Sequence, residues 1–308
     1  MTSTELAGTG RIISRLAYGC WRIAPDAEFA GTRGRAAVLA AYEAGYTLFD
    51  HADIYGNGRA EEIFGKVLRG VGGMRERVLI ATKCGVRKAG DPTGNAPHRY
   101  DLSREHILRS CEESLRRLGV DQIDLYQLHR PDWLMDPGEI AAAFEELRAA
   151  GKVAEFGVSN FTPTQVSTLQ RACPMQLRVN QVEISLARQA PFIDGTLEHC
   201  LAEKMTPLAW SPLAGGLLAE GANRVLPSQT AYRTTDILRV IDRIGTANGL
   251  SRSEIALAWL LRHPAGIVPI IGSVQPDRIW SAVAATQCEL AREDWYRILE
   301  AARGECLP

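Results

Sequence analysis

An alternation constrains this chain more than any single motif. Short apolar runs recur at 16–20, 46–49, 78–82, 123–128, 153–158, 178–182, 207–210 and 267–271, each followed by a polar loop and an amphipathic stretch. Runs of this length read as buried strands, and the longer stretches between them read as helices. A strand–helix alternation sustained from end to end lays the strands parallel in one sheet with the helices outside. Eight such units in 308 residues predict an α/β fold, a single (β/α)8 (TIM) barrel domain over residues 1–308, rather than an open doubly wound sheet.

The punctuation agrees with that reading. Asp136-Pro137-Gly138-Glu139 combines an N-cap, a proline at the first helical position and an acidic third residue. Thr162-Pro163-Thr164-Gln165 and Ser251-Arg252-Ser253-Glu254 carry the capping-box pattern. Ser103 opens, and Gly119 closes, a helix with Ile107, Cys111, Leu115 and Leu118 on one face. Ahead of the first run, Glu5-Leu6 and Arg11-Ile12-Ile13 flank Gly8-Thr9-Gly10, which predicts an N-terminal β-hairpin. The longest irregular segment is 212–232, a length that is usually functional or disordered.

Composition removes several classes of function. A formal net charge of -1 offers no basic stripe to nucleic acid and no cationic tail to a membrane. No run approaches the roughly 20 apolar residues that span a bilayer. The first residues lack a charged segment followed by an apolar one, so no signal peptide is expected. Seven cysteines scattered without close pairs point to reduced thiols and a cytoplasmic location. Neither CxxC nor HExxH occurs, so no metal site is expected.

In a barrel of this type the chemistry sits at the C-terminal ends of the strands. The second run ends at Asp50, with Tyr55 on the loop just beyond; the third ends at Lys83 and the fourth at His129. Three consecutive strands thus bring a carboxylate, a phenol, an ammonium and an imidazole to one mouth. A phenol with an ordinary pKa of about 10 is a slow acid at neutral pH unless a cation is near. Lys83 is that cation; it is expected to lower the Tyr55 pKa, while Asp50 keeps the lysine charged. His129 is placed to hydrogen-bond a carbonyl oxygen. A Schiff-base role for Lys83 in an isomerase or aldolase is the competing chemistry, and pairing with Asp50 disfavours it.

These residues also carry a resemblance. Asp50-His51-Ala52-Asp53-Ile54-Tyr55-Gly56, Thr82-Lys83-Cys84-Gly85, Gln127-Leu128-His129-Arg130-Pro131-Asp132 and Gly157-Val158-Ser159-Asn160-Phe161 resemble the aldo-keto reductases over nearly the whole chain, and most of all the bacterial YdhF-like oxidoreductases. Asn180-Gln181-Val182-Glu183-Ile184-Ser185 and Pro269-Ile270-Ile271-Gly272-Ser273 belong to the same pattern. The resemblance implies hydride transfer from NADPH to an aldehyde or ketone, with Tyr55 as general acid, Lys83 and Asp50 tuning it, and His129 orienting the carbonyl. It implies NADPH/NADP+ rather than NADH as cofactor. Ser159, Asn160 and Gln181 fall at the positions that hold the nicotinamide carboxamide, and Trp210 at that of the ring stacked on the nicotinamide. Ser211, Leu213 and Gly215 open the segment that resembles the pyrophosphate loop. Gly272, Ser273 and Arg278 match the positions around the adenosine 2′-phosphate, where the first turn of a helix and a guanidinium can meet an anion.

Three departures from the common pattern are visible. His51 stands where a small hydroxyl residue is frequent, Gly272 replaces a lysine, and Ser281 and Ala282 replace a Glu and an Asn that contact adenine. The loss of that lysine is expected to weaken the preference for NADPH. Trp21 and Trp133 are expected to line the pocket for a small-molecule carbonyl substrate, and no long C-terminal lid is expected. Some relatives act as cofactor-binding regulatory or sensing modules with slow turnover, which is the alternative function. The sequence carries no readable signal of oligomeric state.

Overall fold

The computed structural model describes residues 1–24, 30–221 and 226–308. Strands β1 (Ser3–Glu5) and β2 (Ile12–Ser14) form the antiparallel hairpin read from the sequence. The barrel strands are β3 (Ala17–Gly19), β4 (Leu48–Asp50) and β5 (Leu79–Cys84), then, after a small hairpin of β6 (Val86–Arg87) and β7 (Arg99–Tyr100), β8 (Ile123–Leu128), β9 (Val153–Ser159), β10 (Leu177–Glu183), β11 (Thr206–Trp210) and β12 (Val268–Ile271). These eight close into a barrel in the order β3-β4-β5-β8-β9-β10-β11-β12, with β12 pairing β3 in parallel. Each of the eight apolar runs therefore becomes one stave.

The helices are α1 (Ala30–Glu43), α2 (Arg59–Gly70), α3 (Arg104–Leu118), α4 (Pro137–Ala149), α5 (Pro163–Ala172), α6 (Thr196–Ala202), α7 (Thr235–Asn248), α8 (Arg252–Leu261), α9 (Pro276–Ser281) and α10 (Arg292–Arg303). The caps form as their residues dictate. Ser103 accepts from His106 N, Asp136 accepts from Gly138 N, and both capping boxes close, at Thr162 with Gln165 and at Ser251 with Glu254. The β6–β7 hairpin was not foreseen, because two-residue strands in a Gly/Pro/Asn-rich connection leave no periodicity to read.

Strand side chains alternate between two cores. Outward residues such as Tyr18, Phe49, Ile80, Tyr126 and Phe156 pack against the helices. Inward residues Ala17, Leu48, Ala81, Leu125, Val179, Leu208 and Val268 fill the barrel, and Leu6 and Ile13 of the hairpin complete that cluster. The hairpin closes the end where the strands begin: Ala7 N donates to Thr206 Oγ1 (3.0 Å), and Arg11 bridges to Asp124 (2.6 Å) near the start of β8. A barrel plugged with hydrocarbon at one end leaves only the other end for polar chemistry.

Candidate active site

The alternation that fills the barrel also builds the site. Two residues beyond Leu48, Ala81, Leu125, Val179 and Leu208, the same inward face carries Asp50, Lys83, Gln127, Gln181 and Trp210. One step up these five staves therefore changes the layer from aliphatic to one dominated by polar side chains. Lys83 pairs with Gln127 across β5 and β8, and Asp50 lies beside Ala81 across β4 and β5.

Lys83 is the hub. Its Nζ donates to Asp50 Oδ2 (2.7 Å), to the His51 carbonyl (2.7 Å) and, at longer range, to Tyr55 Oη (3.4 Å). Lys83 has 0 % and Asp50 2 % exposure, so this ion pair is shielded from solvent. Gln181 Nε2 donates to the other Asp50 oxygen (2.8 Å) and lies 3.4 Å from Gln127 Oε1. Burial pulls the ammonium down, but Asp50 and Tyr55 more than offset it, and the Lys83 pKa ends above the ordinary lysine value. The lysine is charged at neutral pH, as expected.

The expectation for Tyr55 needs correction. Burial raises its pKa, and the opposing pull of Lys83 does not bring it back below the usual value. The phenol holds its proton in the resting protein. The His129 ring meets the Tyr55 ring edge-on, with centroids 5.9 Å apart at 80°. Burial first, then the Lys83 charge, keeps the His129 imidazole neutral.

The residues expected to hold a cofactor form a second, connected group. Ser159 Oγ donates to the Gln181 carbonyl (2.7 Å), Asn160 Nδ2 donates to Ser159 Oγ (2.8 Å) and to the His129 carbonyl (3.2 Å), and Trp210 Nε1 donates to Asn160 Oδ1 (3.0 Å). Asn160 and Ser211 are non-glycine residues at φ 64° and 49°, followed by Ala214 at 49° and Gly215 at 69°. Left-handed backbone at the ends of β9 and β11 is a strain that such sites tolerate when they shape a binding surface. Leu213 is half-buried, packed against the outer core and against a second apolar cluster that includes Ile237, Ile241 and Ile255 of α7 and α8. Of the 212–232 segment, residues 222–225 lie outside the described residues; beyond them Gln229 is fully buried and donates to Glu183 Oε1 (2.6 Å), tying the loop to the end of β10.

Gly272 and Ser273 follow β12, and Tyr18 Oη donates to the Ser273 carbonyl (2.9 Å). Arg278 is half-buried and, among the described residues, its side chain has no hydrogen-bond or ion-pair partner. Helix α9 is only six residues long, so little helix dipole builds up beside Arg278. Trp21 is 37 % exposed at the end of β3, while Trp133 is 95 % exposed and is not folded into any wall.

Three residues at this mouth were not singled out from sequence. Gln127 reads as an ordinary strand position until the inward alternation is counted. Arg130 lies over the Trp210 ring, its Cζ 5.7 Å from the centroid. Glu61, fully buried on α2, accepts from Thr82 Oγ1 (2.6 Å) and Arg117 Nε (2.6 Å), and so ties α2 to β5 and to α3. In the same loop Asp53 is pushed up to about 8, by burial and by the nearby Glu61 charge.

The aldo/keto reductase family model matches residues 15–303. The chain is 40% identical over 294 residues to the 6-dehydroglucose reductase of Agrobacterium fabrum, covering 95% of each chain. It is 38% identical over 303 residues to the oxidoreductase YdhF of Escherichia coli, covering 98% of each. Among solved structures, the aldo/keto reductase from Klebsiella pneumoniae in complex with NADP and acetate superposes with a TM-score of 0.79 at 26% identity, covering 94% of this chain and 92% of that one. The chain belongs to the aldo/keto reductase family. It is accordingly an NAD(P)H-dependent oxidoreductase.

Proposed function

We propose that the protein reduces an aldehyde or ketone to an alcohol, with NADPH as hydride source and Tyr55 as the proton donor. The observation that carries this is the Lys83 ammonium held between Asp50 (2.7 Å) and Tyr55 Oη (3.4 Å). A reduced nicotinamide, when bound, supplies a hydride to the carbonyl carbon. The negative charge that grows on the carbonyl oxygen is met by the residues already described. Tyr55, protonated at rest, delivers its proton to that oxygen, and Lys83 stabilises the phenolate left behind. A raised resting pKa suits this role: the proton is always present, and the cation makes its departure less costly at the moment of transfer. His129, neutral and facing the phenol, contributes an N–H to the carbonyl oxygen and sets its direction. A lysine kept charged by Asp50 is a poor nucleophile, which weighs against Schiff-base chemistry.

The cofactor fits the residues present. The flat, half-exposed Trp210 ring suits the nicotinamide face, and the linked Ser159, Asn160 and Gln181 suit its carboxamide. Arg278 suits the 2′-phosphate that NADPH carries and NADH lacks. The NADP-bound Klebsiella pneumoniae structure supports the same cofactor. The name of the Agrobacterium fabrum relative supports including polyhydroxylated aldehydes among the substrates.

The test follows the absorbance of NADPH on mixing with the protein and a panel of neutral, aromatic and polyhydroxylated aldehydes. Loss of absorbance with multiple turnovers is expected. Binding of NADPH with no consumption across the panel would turn the reading toward a sensing module.

A further inference from the structure

We infer that Arg22 is a phosphate-binding residue of the cofactor site, its guanidinium lying beside the place where a side chain at position 272 would begin. The inference rests on the proposed seating of the cofactor's phosphates along 272–278. Strands β12 and β3 are parallel neighbours, Ile270 beside Ala17 and Ile271 beside Tyr18, so the segments that leave them emerge side by side at the mouth. Arg22 reaches across and donates from Nη1 to the Gly272 carbonyl (3.3 Å). A Cβ placed on Gly272 would sit 3.2 Å from that same Nη1 and 4.0 Å from the Gly19 carbonyl oxygen.

Gly272 is not among the glycines with left-handed backbone, so no turn requires a glycine there. The space a side chain there would enter is bordered, 3.2 Å from its Cβ, by an atom of a cation. The family pattern places a lysine ammonium at this position; here a guanidinium arrives beside it from the turn after the neighbouring strand, 250 residues earlier in the chain. A planar guanidinium matches phosphate oxygens through paired hydrogen bonds. Arg22 and Arg278 would then grip the cofactor's phosphates from the turn after β3 and from α9. The weakened NADPH preference expected from the loss of the lysine would not follow.

The test is calorimetric titration of NADPH and NADH into the full chain as wild type, Arg22→Ala, Arg278→Ala, Gly272→Lys, and the pair Arg22→Ala with Gly272→Lys, each first shown to melt as a folded protein. Arg22→Ala is expected to weaken NADPH by about 10-fold or more, the scale of one hydrogen bond to a charged group. A lysine at position 272 is expected to restore most of that loss in the Arg22→Ala background. The same lysine alone should not tighten binding, because it meets Arg22. A greater loss for NADPH than for NADH places the contact at the 2′-phosphate and an equal loss places it at the pyrophosphate; either bears the inference out. Unchanged NADPH affinity in folded Arg22→Ala overturns it, as does a loss that the lysine does not restore. If Arg278→Ala still loses affinity in that event, the seating of the phosphates stands and only the role of Arg22 falls; if neither variant loses affinity, both fall.

Discussion

Lys83 and Arg278 are both cations at the C-terminal rim of the barrel, and their surroundings differ in every respect. Lys83 is fully buried and held by Asp50, the His51 carbonyl and Tyr55. Arg278 is half-buried and, among the described residues, unpartnered. The difference reflects what each must do. A group that tunes proton transfer has to be in place before substrate arrives, so the protein supplies its partners and the transition state meets a prepared field. A group that captures a ligand's phosphate has to leave its hydrogen bonds for the ligand. On the function proposed above, the mouth divides into a catalytic side on β4, β5 and β8, built round a buried ion pair with Gln127 Nε2 and His129 Nδ1 left unpartnered, and a cofactor side on β9 to β12, where Arg278 is an open cation.

The sharpest way to break this comparison is Lys83→Met. It leaves the Asp50 carboxylate buried with only Gln181 as donor, and removing one member of a buried pair costs about 3–5 kcal/mol. Chemical denaturation should register that loss, and hydride transfer in the surviving folded protein should slow by about 10²-fold or more. Because the folded-state Lys83 pKa is raised, the stability its charge contributes is present at neutral pH and disappears as pH rises above the ordinary lysine range. The alkaline loss of stability should therefore be milder in the variant than in the wild type.

Arg278→Ala acts on the other side and should behave oppositely. Folding should be unaffected, while NADPH binding weakens by about 1.5–3 kcal/mol and NADH binding much less. Quenching of tryptophan fluorescence by each cofactor measures both; equal losses would remove Arg278 from the phosphate site.

A smaller effect is expected at His51, fully buried against Phe64 with neither ring nitrogen partnered. Burial and the Lys83 charge lower its pKa to about 3 from an ordinary 6.5. A depressed base contributes stability above its unfolded pKa and loses it as pH falls, here between 6.5 and 3. The slope from one such group is up to about 1.4 kcal/mol per pH unit. His51→Leu should leave stability at pH 7 within about 1 kcal/mol and flatten part of the acid limb in urea titrations. His129, lowered in the same direction, should maintain the rest. Trp133→Ala, on a side chain 95 % exposed, should change folding stability by no more than about 0.5 kcal/mol. Its effect should be confined to KM for bulky substrates, and an unchanged KM across the panel would take Trp133 out of the substrate pocket.

Much of this division was legible in the residues. The eight staves were readable because a short β-branched or aromatic run between polar loops has few other uses, and the ends of three staves named Asp50, Lys83 and His129. The hairpin was readable from Gly8-Thr9-Gly10. What escaped depends on depth and on distance along the chain. The Tyr55 pKa turns on how completely the phenol is buried, which no local pattern reports, so the lowering pull of Lys83 is visible in the sequence and the larger desolvation is not. Gln127 is one polar residue in an apolar strand until Lys83 is seen beside it. Arg22 and Gly272 meet only because β12 closes against β3. The loss of a lysine at 272 reads in sequence as a deficit, whereas in three dimensions the Arg22 guanidinium lies beside that position.

The central claim is that Tyr55 supplies the proton. Tyr55→Phe keeps the ring against His129 and removes one hydroxyl. Rapid mixing of the NADPH-loaded variant with a good aldehyde, beside wild type, reads hydride transfer directly, and a cofactor titration of the same samples reads binding. The account predicts a transfer rate lower by about 10²–10⁴-fold with NADPH affinity almost unchanged. A Tyr55→Phe protein that transfers hydride at nearly the wild-type rate would contradict it.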